Sequence, residues 1–322
     1  MSELLKSIDA RTKLAGTNKL EILLFFLGLD QRTGRRETYG INVFKVREVM
    51  RTPTITAAPE MPPSVEGMVS LRGALVPVID LAKYAGINTD GPRDIMIVTE
   101  YNGHTQGFLV EAVDTILRLD WSKMRVPPEM LTAQTGGLVT AVTELEDGRL
   151  VMMMDVEKVL SETTAIDNEV MFRGVVPLAR QDATVYYCDD SSVARKQIER
   201  TLEVMGAKGV GSVNGARLWE EMEKIAAYAS SLNQPVNKFI NLVLTDIEMP
   251  EMDGYILTKK IKSDPRFKDI PVIMHSSLSG MSNQKLGLSV GVDEYVPKFE
   301  PQRLSETLAN RLGIADGPET AA

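Results

Sequence analysis

Four short apolar runs in the C-terminal half each lead directly into side chains suited to phosphoryl chemistry. "TVYYC" is followed by Asp189-Asp190, "INLVLT" by Asp246, "IPVIMH" by Ser276-Ser277 and "DEYVP" by Lys298. Clustered carboxylates repel one another unless a divalent cation lies among them, and a hard ion such as Mg2+ takes oxygen ligands in octahedral geometry. A carboxylate held beside such an ion can attack a phosphoryl donor and become an acyl phosphate. An ammonium and a hydroxyl then neutralise or bond the equatorial oxygens. Asp246 is the candidate nucleophile, with Lys298 and Ser276 in those two supporting roles. The scheme needs no proton-transferring histidine, and the chain has only two, His104 and His275.

These residues meet only if the four runs are neighbouring strands of one parallel sheet. The text between them supports that. "SSVARKQIERTLEVMG" has helical spacing, with Val193, Ile198, Leu202 and Val204-Met205 on or near one face and Gly206 as a stop. "GYILTKKIKS", "NQKLGLSVG" and "QRLSETLANRLG" supply further helices. Strand alternating with helix predicts a doubly wound α/β domain whose site lies beyond the carboxyl ends of the strands. One strand, near "KGVGSV", is weakly written; the helix after it reads as extended, with a loop around Ser230 to Asn237. Glu251 and Asp253 read as a solvated turn.

The N-terminal half has a different grammar. "IMIVTEYNGHTQGFLVEAV" is a hairpin pattern turning at Asn102-Gly103, "TAVTELEDGRLVMMMD" one turning at Asp147-Gly148, and "GMVSLRGALVPVIDL" one turning at Arg72-Gly73. Such strand spacing predicts an all-β barrel or sandwich. A helix is expected at Glu3 to Leu14 and another after Asp155. Acids are scattered here, so binding is a better class of function than catalysis.

Composition narrows the field. The chain has 322 residues, 25% of them charged, and a net charge of −8. That length suggests two domains, and the acidic balance without a basic run argues against a nucleic-acid partner. A single cysteine, Cys188, excludes an internal disulfide framework. The longest early apolar run, "ILLFFLGL", is far short of a bilayer span, so direct membrane insertion is not expected and the cytoplasm is the expected compartment.

"CDDS", "LVLTDIEMPEMDGY", "IPVIMHSS" and "EYVPK" resemble, in order and spacing, the signature blocks of response-regulator receiver domains, from about Ala183 to Ile314. The resemblance implies a five-stranded flavodoxin-like fold with Asp246 as phosphoacceptor. It implies that Asp190 ligates Mg2+ directly, that Asp189 helps through water, and that the Glu248 backbone carbonyl completes the protein ligands. Ser276 takes the hydroxyl switch role, Tyr295 that of the coupled aromatic and Lys298 that of the phosphoryl-binding cation. The family usually follows this lysine with proline; here Phe299 stands, with Pro301 two positions on. The shape of that loop is therefore the open point.

"LGLDQRTGRRETYGINVFKVREVM", "PSVEGMVSLRGALVPVIDL" and "IMIVTEYNGHTQGFLVEAV" resemble the CheW coupling domain of bacterial chemotaxis. That implies two small five-stranded barrels, and it implies chemoreceptor cytoplasmic tips and the chemotaxis histidine kinase as partners. By motif position Val46, Glu48 and Arg72 would contact them.

Both resemblances together match a CheV-type arrangement: an N-terminal tail (1–17), a coupling domain (18–160), a linker (161–182), a receiver (183–314) and a tail (315–322). It implies an adaptor in receptor arrays, tuned by phosphoryl transfer from the kinase's phosphohistidine to Asp246. Such a chain catalyses only its own phosphorylation and dephosphorylation. One alternative is a phosphate sink for the kinase. Another is an aspartyl-phosphate hydrolase of haloacid-dehalogenase type, which wants a second aspartate where Glu248 stands.

Overall fold

The computed structural model describes residues 19–101, 104–163, 171–178, 182–276 and 290–312. Two compact units divide it, Lys19–Ala165 on one side and Met1–Asn18 with Ile166–Ala322 on the other. The helix expected at Glu3 to Leu14, the turn Asn102-Gly103 and all but the last two residues of the helix expected at "NQKLGLSVG" lie outside the described residues.

The first unit is all-β. Its strands are β1 (Lys19–Phe26), β2 (Thr38–Asn42), β3 (Val46–Arg51), β4 (Val65–Leu71), β5 (Ala74–Asp80), β6 (Ile95–Tyr101), β7 (His104–Val110), β8 (Ala112–Asp120), β9 (Val139–Glu144) and β10 (Leu150–Met154). They form two five-stranded sheets, ordered β8-β1-β2-β10-β9 and β3-β6-β7-β5-β4. The hairpin patterns of the sequence produce the pairs β4–β5, β6–β7 and β9–β10. Two pairings are parallel, β2–β10 and β5–β7, and no hairpin text announces those.

Turn chemistry follows the residue types with one correction. Arg72 and Gly73 take φ of 51° and 85°, the left-handed pair that a two-residue hairpin requires. At "EDG" only Gly148 has positive φ, at 82°, and Leu145 closes on Arg149, so the loop has three residues where the sequence suggested an Asp147-Gly148 pair. Helix α1 (Val156–Thr163) follows β10, with the buried Asp155 carboxylate accepting from the Lys158 amide at its start.

The second unit has strands β11 (Thr184–Cys188), β12 (Lys208–Ser212), β13 (Leu242–Thr245), β14 (Val272–Ser276) and β15 (Glu294–Pro297) in the order β12-β11-β13-β14-β15, all parallel. Among the described residues its helices are α2 (Ser192–Met205), α3 (Gly215–Ser231), α4 (Gly254–Ser263) and α5 (Pro301–Arg311). Central β13 is buried throughout, as a strand covered on both faces must be. Its alternate residues split between two cores. Val243, with Tyr186 and Val272, packs on Leu218 and Met222 of α3 and Leu257 of α4. Leu242 and Leu244, with Val185 and Ile273, pack on Ile198 and Leu202 of α2 and Leu304 and Leu308 of α5.

The weak writing of β12 has a steric cause. A Cβ at Gly211 would stand 2.6 Å from the Tyr187 ring, and one at Gly209 would stand 3.1 Å from it. The edge strand gives up side chains so that the neighbouring tyrosine fits.

Candidate functional site

Because the strands of the second unit are parallel and in register, their carboxyl ends form one rim. Cys188 pairs with Thr245 across β11–β13, and Ser276 with Pro297 across β14–β15. The residues that follow are thereby delivered to the same edge, which is why Asp189-Asp190, Asp246, Ser276 and Lys298 were legible as a set.

Lys298 is the hinge of the arrangement. Its ammonium lies 2.9 Å from Asp189 and 3.0 Å from Asp246, although the three side chains are at most 6% exposed. An ammonium is moved into such a place only if carboxylates compensate its lost hydration. Carboxylate oxygens of Asp189, Asp190 and Asp246 all lie within 4.8 Å of one another. Three negative charges face one positive charge, so the cluster keeps an attraction for a further cation. Its all-oxygen donor set suits a hard divalent ion of the Mg2+ kind. Asp189, Asp190 and Asp246 are the side chains that would hold it.

Backbone amides fix two of the carboxylates, and a side chain clamps the loop that carries the third. The Ser191 amide donates to Asp189 Oδ1 at 3.0 Å, and the Ile247 amide donates to Asp246 Oδ1 at 2.7 Å. Arg195 donates to the carbonyls of Asp189 and Asp190 at 2.7 and 2.9 Å, clamping the loop after β11. Thr245 Oγ1 donates to the Asp246 carbonyl at 2.8 Å. Gly254 opens α4 against that same carbonyl, where a Cβ would stand only 2.0 Å from the oxygen. None of Arg195, Thr245 or Gly254 stood out in the sequence as a site residue; "MDG" marked Gly254 only as a turn.

Ser276 is buried at the end of β14, and the Lys298 amide donates to its carbonyl at 3.2 Å. Tyr295, on β15, shares a hydrogen bond of 3.2 Å with the hydroxyl of Tyr255 on α4. Burial pushes the Tyr295 phenol up to about 12, with the Tyr255 bond pulling against that shift, and burial raises Tyr255 further still. Cys188 sits within the sheet and donates to Thr245 Oγ1 at 3.3 Å; burial pushes its thiol far up, which keeps it unreactive. Glu248 is half-buried in the turn after β13.

The turn beyond Glu248 requires a correction. Asp253 is buried and accepts from the Ile256 amide at 2.7 Å as the N-cap of α4. Glu251, at φ 66°, accepts from the buried Asn214 amide at 3.1 Å. These acids are structural ties, not the solvated turn that their composition suggested. Phe299, where the resemblance led one to expect proline, takes φ 63°, so the chain turns sharply immediately after Lys298.

In the first unit Glu48 and Arg72, 24 residues apart, meet in an ion pair of 3.0 Å. Val46 and Glu48 are both half-buried on β3, and the strand's register on β6 shifts between them.

Comparison with known proteins accounts for both units. Residues 25–164 match the CheW-like domain family, and residues 185–309 match the response regulator receiver domain family. Chemotaxis protein CheV3 of Helicobacter pylori is 28% identical over 302 residues, covering 92% of this chain and 95% of that protein. Chemotaxis protein CheV1 of the same organism is 28% identical over 335 residues, covering 98% and 100%. Chemotaxis protein CheY1 of Helicobacter pylori is 37% identical over 130 residues, covering 40% of this chain and 95% of that protein. With both families in order along one chain and relatives named CheV matching nearly end to end, the chain belongs to the CheV-type chemotaxis proteins, a CheW-like domain followed by a response regulator receiver domain.

Proposed function

We propose that the chain is a chemotaxis adaptor that couples chemoreceptor cytoplasmic tips to the histidine kinase through its CheW-like unit and is tuned by phosphorylation of Asp246. The observation that carries this reading is the buried Lys298 ammonium shared between Asp189 and Asp246 beside a third carboxylate, Asp190. In the reaction, a carboxylate oxygen of Asp246 attacks the phosphorus of a kinase phosphohistidine. The oxygen–phosphorus bond forms as the phosphorus–nitrogen bond breaks, and the imidazole leaves with the bonding pair and takes up a proton. Lys298 pairs with the charge on the incoming oxygens, and the Ser276 hydroxyl bonds one of them. Asp189, Asp190, Asp246 and the Glu248 carbonyl would hold Mg2+, which when bound supplies further charge neutralisation.

CheW-like domains in general couple chemoreceptors to the kinase, and Val46, Glu48 and Arg72 are the residues proposed to touch those partners here. The described residues contain no helix long and apolar enough to cross a membrane, so receptor arrays would be reached through protein contacts. The test is labelling by acetyl phosphate with Mg2+: the wild-type chain gains one phosphoryl group and Asp246→Asn gains none. Label retained in Asp246→Asn would overturn the assignment.

A further inference from the structure

Part of the chain between the two units is bound to the receiver. Residues 171–178 lie along the seam between α2 and α5. Val175 and Leu178 are buried there among Ile198, Leu202, Leu304 and Leu308. The Leu178 amide donates to the Met205 carbonyl at 2.8 Å, giving a partner to one of the end carbonyls that a helix leaves open. The Val176 amide donates to Ser305 Oγ at 3.0 Å, and Ser305 is itself fully buried on α5. Gln197 of α2 donates to the Met171 sulfur at 3.1 Å. Gly174, at φ 88°, passes so close that a Cβ would stand 3.3 Å from the Gln302 side chain. Apolar burial, three hydrogen bonds and a close backbone approach make this a built seat.

The seat is wired to the phosphoacceptor by a very short path. Lys298 holds Asp246; Phe299 follows in a left-handed conformation, and α5 begins at Pro301. Met171, the first strap residue, lines one groove with Phe299, Glu300, Pro301 and Gln302. A displacement of the Lys298 ammonium therefore reaches the strap within one turn of helix. Non-glycine residues at positive φ persist where surrounding contacts hold them, and such turns are suited to two discrete arrangements.

We infer that the α2–α5 seam is the output face of the receiver and that its occupant is this chain's own strap, residues 171–178, docked in the unphosphorylated form and loosened when Asp246 carries a phosphoryl group. The inference rests on the reading of Asp246 as phosphoacceptor. Phosphoryl oxygens on Asp246 draw Lys298 away from its present position between Asp189 and Asp246, and the turn at Phe299 and the first turn of α5 follow. Release moves the receiver's anchor on the connecting chain from Met171 to β11. The tether to the CheW-like unit lengthens by the thirteen residues 171–183, which lowers the effective concentration of one unit about the other.

Amide hydrogen exchange on the full chain tests this, with beryllium trifluoride and Mg2+ as the phosphoryl mimic. Protection of the Val176 and Leu178 amides should fall at least about fivefold on adding the mimic, while β13 stays protected. Asp246→Asn should show no change. Val175→Asp should lose strap protection without the mimic and, because coupling is reciprocal, bind the mimic more tightly. If acetyl phosphate labels Asp246 yet strap protection is unchanged by the mimic, the inference fails while the phosphoacceptor reading stands. If Asp246 takes no label, the underlying reading fails. Equal mimic affinity in Val175→Asp and wild type would also overturn the coupling.

Discussion

The hydroxyls of Tyr255 and Tyr295 share a hydrogen bond of 3.2 Å that ties α4 to β15. One end of this tie opens just after the Asp246 turn, and the other lies three residues before Lys298, so it spans the site from behind. Tyr255→Phe keeps the ring and removes the bond, at an expected cost of about 1 kcal/mol in receiver stability. Burial holds the Tyr295 phenol at about 12 while the Tyr255 bond pulls it down, so the variant's Tyr295 should titrate higher than in wild type. Tyrosinate absorbance, with Tyr295→Phe as the reference for assignment, reads this directly. An unmoved Tyr295 titration would show that the bond does not form in solution.

The same pair sets an alkaline limit. The ordinary phenol loses its proton near pH 10, whereas folded Tyr295 holds its proton to about 12. Between these values the folded form binds more protons than the unfolded form, so stability falls as pH rises through that window and is fully present below it. Trp219 lies in the receiver core and Trp121 in the CheW-like unit, so a Trp121→Phe background reports receiver unfolding alone. Its denaturant midpoint should drop between pH values of about 10 and 12, and less steeply in Tyr295→Phe. Equal slopes would remove Tyr295 as the cause.

The rim of the receiver was legible because its chemistry sits directly after apolar strands, and parallel register then delivers strand ends to one edge. Asp189, Asp190, Asp246, Ser276 and Lys298 needed only that rule. What the sequence hid depends on backbone geometry. Glu251 and Asp253 look like surface acids by type, yet they tie a turn through Asn214 and the α4 amides. Arg195 acts on carbonyls, which carry no residue signature. The hairpins of the first unit were readable from their turns, while the parallel pairs β2–β10 and β5–β7 are non-local and leave no text. The strap lies in a stretch of weak periodicity because its apolar contacts, Phe172, Val175 and Leu178, follow no strand or extended helical pattern.

Gly254 is required by its approach to the Asp246 carbonyl. Added carbon at 2.0 Å from a backbone oxygen cannot be relieved by rotating a side chain. Gly254→Ala should therefore cost about 3 kcal/mol, at the upper end of overpacking, and should slow labelling of Asp246. Gly206→Ala, at the left-handed cap of α2, is the control: it should cost about 1 kcal/mol and leave labelling near wild type. Urea unfolding and acetyl phosphate labelling on both variants give the comparison. Equal effects on labelling would mean that Gly254 matters only as a helix start.

Lys298 holds charges that would otherwise be stranded. Lys298→Met removes the buried counter-charge from Asp189 and Asp246 and should destabilise the receiver by about 3–5 kcal/mol without divalent cations. A bound ion restores part of that, because anything that binds the folded form alone stabilises it. Added Mg2+ should raise the melting temperature of Lys298→Met more than that of wild type. Asp190→Asn should lose most of the Mg2+ effect in either background. An identical Mg2+ shift in all four proteins would place the ion elsewhere.

Arg72 carries a conformational cost that a stability role does not explain. It takes φ 51° in a two-residue turn where glycine would sit without strain, and its exposed pair with Glu48 belongs to a class worth at most about 1 kcal/mol. An arginine kept in such a place, paired with Glu48 on β3, fits a contact made with a partner. Arg72→Gly should leave the melting temperature of the CheW-like unit unchanged or slightly higher, while reducing capture by a receptor tip and the kinase. The double exchange Glu48→Arg with Arg72→Glu separates the two explanations, since it rebuilds the internal ion pair with opposite polarity. If the pair is only a solvated surface bridge, the exchanged protein binds as wild type does. If these side chains meet the partner, it folds normally and is not captured.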